Sequence, residues 1–137
     1  MQRAKKIMIG DEEYILLYSM GAMAALWDED DDVQKLMLRC AEMTGRGIRA
    51  LCRTAAVLSQ AGAAAMRAAG MDGARSLTEE KLLAVLTPED MPVLLDAVTD
   101  AIRRGIVSEL DESYEQEVDV VLEEQKKKMG VRTVERD

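Results

Sequence analysis

The sequence predicts a mainly α fold, a small helical domain with a short N-terminal β-hairpin. Three observations predict it. Apolar residues recur at helical spacing through most of the chain. Ser, Thr and Asp stand at the heads of those segments, where their oxygens can accept the first free backbone N–H groups. Two β-rich runs flank a single Gly-Asp pair near the start.

Taken in order, Lys5-Lys6-Ile7-Met8-Ile9 and Glu13-Tyr14-Ile15-Leu16-Leu17 are the strands, and Gly10-Asp11 is the hairpin turn. Two strands alone are marginal in water, so the hairpin must lean on helices. Ser19 caps a helix through Gly21-Ala22-Met23-Ala24-Ala25-Leu26-Trp27, whose small residues would let another element approach closely. The acidic run at residues 28–32 ends at a second cap, Asp31 or Asp32, ahead of Val33, Leu36, Met37, Cys40 and Met43 at helical spacing. Gly45-Arg46-Gly47 reads as an interruption, and the longest helix as about residues 48–69. Eight of the fifteen residues 55–69 are alanine, which favours helix and gives little bulk.

The next two helix starts carry the fullest signals. Thr78 is a cap with Leu77 and Leu82 in the positions of a hydrophobic staple. Thr87-Pro88-Glu89-Asp90 repeats it, with Pro at the first helical position and Leu86 set against Met91. Met91, Leu94, Leu95, Val98 and Ile102 then trace one apolar face, which Gly105 is expected to end. Tyr114, Val118, Val121, Leu122 and Gln125 suggest a last acidic helix, closed by Lys126-Lys127-Lys128 and Gly130. The chain thus divides into a hairpin plus helical core domain, 1–106, and an acidic C-terminal helix and tail, 107–137.

Composition narrows function. The 137 residues are 48% hydrophobic and 32% charged, enough apolar material for one modest core. The aromatics are Tyr14, Tyr18, Trp27 and Tyr114 alone, so that core is aliphatic. There is no histidine, which excludes histidine-based nucleophile activation, histidine metal sites and histidine pH switches. Net charge is −8, against nucleic acid or an anionic membrane as the general partner. The charge is blocked: residues 1–32 carry eight acids and three bases, 33–75 two acids and seven bases, 76–137 sixteen acids and eight bases. Blocks of −5, +5 and −8 invite neutralisation within the fold or between copies, so self-association is expected. No apolar run approaches the roughly 20 residues of a membrane span, and no secretory signal is read. The two cysteines, Cys40 and Cys52, fit buried small hydrophobes in a reducing cytoplasm.

Two patterns suggest chemistry and fail on their spacing or context. Asp28, Asp30 and Asp32 imitate a calcium loop, but Val33 and Arg39 stand where that loop needs Gly and Glu. Gly45-Arg46-Gly47-Ile48-Arg49-Ala50 matches a dinucleotide fingerprint, which works only between a strand and a helix. No nucleophile, base and oxyanion site assemble, so an enzyme is not expected, nor a cofactor or a metal. What remains is contact surface: Met20, Gly21, Met23 and Ala24 as an adaptable, closely approachable face, and Arg46, Arg49 and Arg53 as a basic stripe for an acidic protein.

In order and spacing, four stretches resemble the tail assembly chaperones of long-tailed bacteriophages and prophages. They are residues 7–14, Ile7-Met8-Ile9-Gly10-Asp11-Glu12-Glu13-Tyr14; the Gly21-Ala22-Met23-Ala24-Ala25-Leu26 helix; Leu77-Thr78-Glu79-Glu80-Lys81-Leu82; and Leu86-Thr87-Pro88-Glu89-Asp90, leading to Ala97-Val98 and Ala101-Ile102-Arg103-Arg104-Gly105. The resemblance covers about residues 5–106. It implies a small acidic helical chaperone, made in the infected cell's cytoplasm, that holds the tape measure protein until tail tube protein polymerises around it. It also implies a longer form made by frameshifting near the end of the reading frame, where Lys126-Lys127-Lys128 stand. The alanine-rich 55–69 stretch is plainer than that pattern. The alternatives from the residues alone are a helical regulatory or adaptor protein and, with only the +5 middle behind it, a nucleic-acid-binding helical domain.

Overall fold

In a computed structural model that describes residues 3–28 and 32–106, strands β1 (Lys5–Ile9) and β2 (Glu12–Leu16) pair antiparallel, with Ile7 opposite Tyr14 and Ile9 opposite Glu12. In the two-residue turn Gly10 takes a positive φ, 63°, and Asp11 does not, the glycine-first pattern of a type II′ turn. Alternation buries Ile7, Tyr14 and Leu16 and turns Lys6 and Met8 to solvent. The hairpin leans on helices as expected: β2 lies along the longest helix and β1 along the last.

Five α-helices follow among the described residues: α1 (Met20–Trp27), α2 (Val33–Cys40), α3 (Gly45–Ala68), α4 (Glu79–Val85) and α5 (Met91–Ile106). The side-chain caps expected at Ser19, Asp32 and Thr78 are made. Ser19 accepts from the Ala22 N–H at 3.1 Å, Asp32 from Lys35 at 2.9 Å, and Thr78 from Lys81 at 3.1 Å. Thr87 and Asp90 close a capping box around one 3-10 turn, Pro88–Asp90, which leads directly into α5. Leu77 and Leu82, the expected staple, are both fully buried.

The structure departs from the sequence reading between α2 and α3 and near the end of α5. Gly45-Arg46-Gly47 does not interrupt a helix; it is the first turn of α3. Thr44 supplies the cap, accepting from the Gly47 N–H at 3.0 Å, and the break falls at residues 41–44. Gly47 is required there because a Cβ would strike the backbone carbonyl of Glu42. Met43, expected on the apolar face of the second helix, lies beyond its end and is 81% exposed. Gly105 does not end α5, which continues to Ile106; it sits inside the helix, where a Cβ would fall 2.6 Å from the Tyr18 carbonyl oxygen. The expected final helix and its lysines, in 107–137, lie outside the described residues.

Helix α3 is the centre of the core. Leu51, Cys52, Ala55, Leu58 and Ser59 are buried on one side, while Arg46, Arg49, Gln60 and Arg67 face solvent, as the spacing indicates. Helices α1, α2, α4 and α5 and strand β2 all pack on it. Leu16, Leu26, Leu36, Leu51, Leu58, Leu77 and Leu82 each show 1% exposure or less, and each contributes about 1.5–3 kcal/mol of transfer free energy.

Candidate functional site

Helix α1 turns Ala22 and Leu26 inward and leaves Met20, Gly21, Ala24 and Ala25 exposed, with Met23 half-buried against the core. Met20 is 80% exposed. No described element approaches Gly21 closely: a Cβ there would meet only the Ser19 hydroxyl, at 3.7 Å. Gly21, Ala24 and Ala25 therefore form an open surface, while Ala22 is in the core. The close backbone approaches occur instead at Gly47, Gly62 and Gly105.

The expected basic stripe is present on α3. Arg46 and Arg49 are exposed and Arg53 is half-buried, at positions that share one face of the helix. The Arg49 guanidinium folds back over Gly45, with a nitrogen 3.5 Å from where a Cβ would stand. Arg46 lies in the first turn, at the positive end of the helix dipole, where a cation does not help the helix. No described hydrogen bond or ion pair links this stripe to the exposed residues of α1.

Cys40 and Cys52 are both buried thiols. The Cys40 sulfur lies 3.5 Å from the Thr54 hydroxyl. Burial, and then the Glu79 carboxylate, push the Cys52 thiol above its ordinary pKa. Among the described residues no cluster of Cys, Asp and Glu is placed to hold a metal ion.

Sequence reasoning missed a cleft of about 470 Å³ between the hairpin turn, the C-terminal half of α3 and the loop at residues 71–75. Ile15, Ala63, Met66 and Met71 give it apolar walls, and Asp11, Glu12, Glu13 and Asp72 an acidic rim. Two of its lining residues, Glu12 and Arg75, belong to a polar latch. The Tyr14 hydroxyl donates to Glu12 Oε2 at 2.6 Å and accepts from Lys81 Nζ at 2.9 Å. Arg75 pairs with Glu12 Oε1, and Lys81 lies 3.7 Å from Oε2. The Tyr14 hydrogen bond and then the Arg75 guanidinium hold Glu12 below the usual glutamate range, while the same hydroxyl raises Lys81. The chain just beyond the loop is pinned to α3: Leu77 donates its N–H to Ser59 Oγ at 2.6 Å, and its carbonyl accepts from Gln60 Nε2 at 3.2 Å. These partners lie up to 67 residues apart in the chain, and no local pattern announces them.

No helix among the described residues is long and apolar enough to cross a membrane. The chain matches no known protein family, no curated protein and no solved structure.

Proposed function

We propose that the chain is a non-catalytic tail assembly chaperone of a long-tailed bacteriophage or prophage, working in the cytoplasm of the bacterial host. It binds the tape measure protein and keeps it soluble until tail tube subunits polymerise around it. The observation that carries this reading is the distribution of exposed methionine. Met8 on β1, Met20 on α1, Met43 between α2 and α3, and Met71 after α3 are 60%, 80%, 81% and 52% exposed. Unbranched thioethers pack against irregular apolar surfaces, which suits a protein that must hold a long client through many unlike contacts. A net charge of −8 keeps such a surface soluble. The arginine stripe of α3, not needed for helix stability at Arg46, offers a second contact for an acidic partner or another copy of the chain.

The order of hairpin, small-residue helix, and two Thr-capped helices in residues 5–106 supports the assignment to this class. The test is co-expression of the chain with the tape measure gene expected immediately downstream of its own. A tape measure protein that moves from the pellet to the supernatant and co-purifies with the chain supports the reading. One that stays insoluble while the chain remains alone in solution overturns it, as does a neighbourhood with no tape measure gene.

A further inference from the structure

We propose that the cleft between the hairpin turn and the loop at residues 71–75 is a docking site for a cationic protein segment, an apolar side chain flanked by lysine or arginine. This deepens the partner-binding reading and rests on it only in taking the ligand to be a protein.

Size and lining define the apolar part. About 470 Å³ is room for one or two large side chains, and the walls are Ile15, Ala63, Met66 and Met71. Met66 is half-buried and Met71 exposed, so the two thioethers can close over an incoming aliphatic group. Charge defines the flanks. The lining holds four carboxylates and one guanidinium, a net −3. Its one cation, Arg75, is already paired with Glu12. Asp11, Glu13 and Asp72 are exposed and make no ion pair among the described residues. Three uncommitted carboxylates around a cleft with an apolar patch at Ile15, Met66 and Met71 attract a segment that brings cations on both sides of its anchor.

A metal ion alone does not account for the recess, because the described acids form no metal-holding cluster and part of the wall is apolar. The chain's own basic stripe is a poor occupant: Arg46 and Arg49 flank Ile48, which is already half-buried against the core. The occupant proposed is a segment of a partner protein.

The experiment uses the isotopically labelled full chain and a blocked probe peptide, Lys-Lys-Leu-Met-Lys-Lys, followed by amide chemical shifts. A second peptide replaces Leu-Met with Ser-Gly at equal charge. One variant, Asp11→Asn/Glu13→Gln/Asp72→Asn, neutralises the cleft. Another, Glu80→Gln/Glu89→Gln/Asp96→Asn, removes the same charge from exposed positions elsewhere. All six positions are exposed, and circular dichroism checks that both variants fold. The expected result is shifts confined to residues 11–15, 63–66 and 71–75. Affinity should fall about tenfold in the cleft variant and for the Ser-Gly peptide, with little change in the control variant. Shifts spread over the whole acidic surface, or equal losses in the two variants, overturn the site. Neither result touches the tape measure proposal, which the co-expression experiment decides.

Discussion

Gly62 of α3 and Ile15 of β2 meet backbone to backbone. The Ile15 carbonyl oxygen occupies the space that a Cβ on Gly62 would need, and its carbonyl carbon would lie 2.9 Å from that atom. Two residues on, the Leu17 N–H donates to the Leu58 carbonyl one turn earlier in α3, at 3.0 Å. The hairpin is thus laid directly on the helix backbone, and the missing Cβ at Gly62 is what permits the contact. An alanine-rich stretch that looks featureless in sequence is the floor of the fold.

This fixes the sign of a substitution that helix propensity alone gets wrong. Gly62→Ala gains about 1 kcal/mol from propensity, but it forces apart two backbones at a cost of about 1–3 kcal/mol or more. The clash is with a carbonyl oxygen, which has no rotamer to move, so the variant should be destabilised. Denaturant unfolding should show a lower midpoint for Gly62→Ala than for wild type. The same change at Gly70, where no atom lies within 4 Å of the added Cβ, strains only a positive φ of 84°.

Ser59 predicts a local loss. Its hydroxyl is fully buried and accepts the Leu77 N–H at 2.6 Å. Ser59→Ala leaves that donor buried and unpaired, costing about 1–3 kcal/mol. Thr54 is equally buried, but its hydroxyl donates to the Ala50 carbonyl of its own helix, so Thr54→Ala strands no backbone donor. Hydrogen exchange at the Leu77 amide should quicken markedly in Ser59→Ala and stay near wild type in Thr54→Ala.

What the sequence made legible was local. The caps Ser19, Asp32, Thr78 and Thr87 and the Leu77–Leu82 staple each follow from residues within a turn of one another, and all are present. The glycines were misjudged because their reason is non-local. Gly45 and Gly47 looked like a break, yet Gly47 is a contact with Glu42, and Gly105 looked like a stop, yet it is a contact with Tyr18. Of the expected interaction residues, Met20, Gly21, Ala24, Arg46 and Arg49 are exposed as surface contacts require. The cleft escaped notice because its walls come from residues 11–15, 63–66 and 71–75, which only the packing of β2 on α3 brings together.

The Glu12 latch predicts a pH window. Glu12 titrates below its ordinary 4.5, so its contribution is present above that value and is lost as pH falls through the lowered folded pKa. Lys81 titrates above its ordinary 10.5, so its contribution is present below that value and lost as pH rises through the raised one. The latch is complete between the two limits. Carboxyl-carbon NMR should give Glu12 a midpoint below 4.5 that moves back up in Tyr14→Phe, because the Tyr14 hydrogen bond is the largest cause of its shift. A midpoint unmoved by Tyr14→Phe would assign the shift to Arg75 instead.

Gly21 separates a surface role from a structural one. It sits in the first turn of α1 with open space around it; the Ser19 hydroxyl, at 3.7 Å, is the one described atom a Cβ would touch. Gly21→Leu therefore overpacks nothing inside the described fold, and it replaces a poor helix former with a good one, a gain of up to about 1 kcal/mol. The melting temperature should hold or rise. If the face of Met20, Gly21 and Ala24 is where client protein or another copy seats, a leucine there stands in the way of close approach, and binding should weaken while stability does not. Light scattering for self-association and the co-purification assay for the tape measure protein read this directly. Unchanged stability with unchanged binding would remove α1 from the interaction surface and leave the arginine stripe and the remaining methionines to carry it.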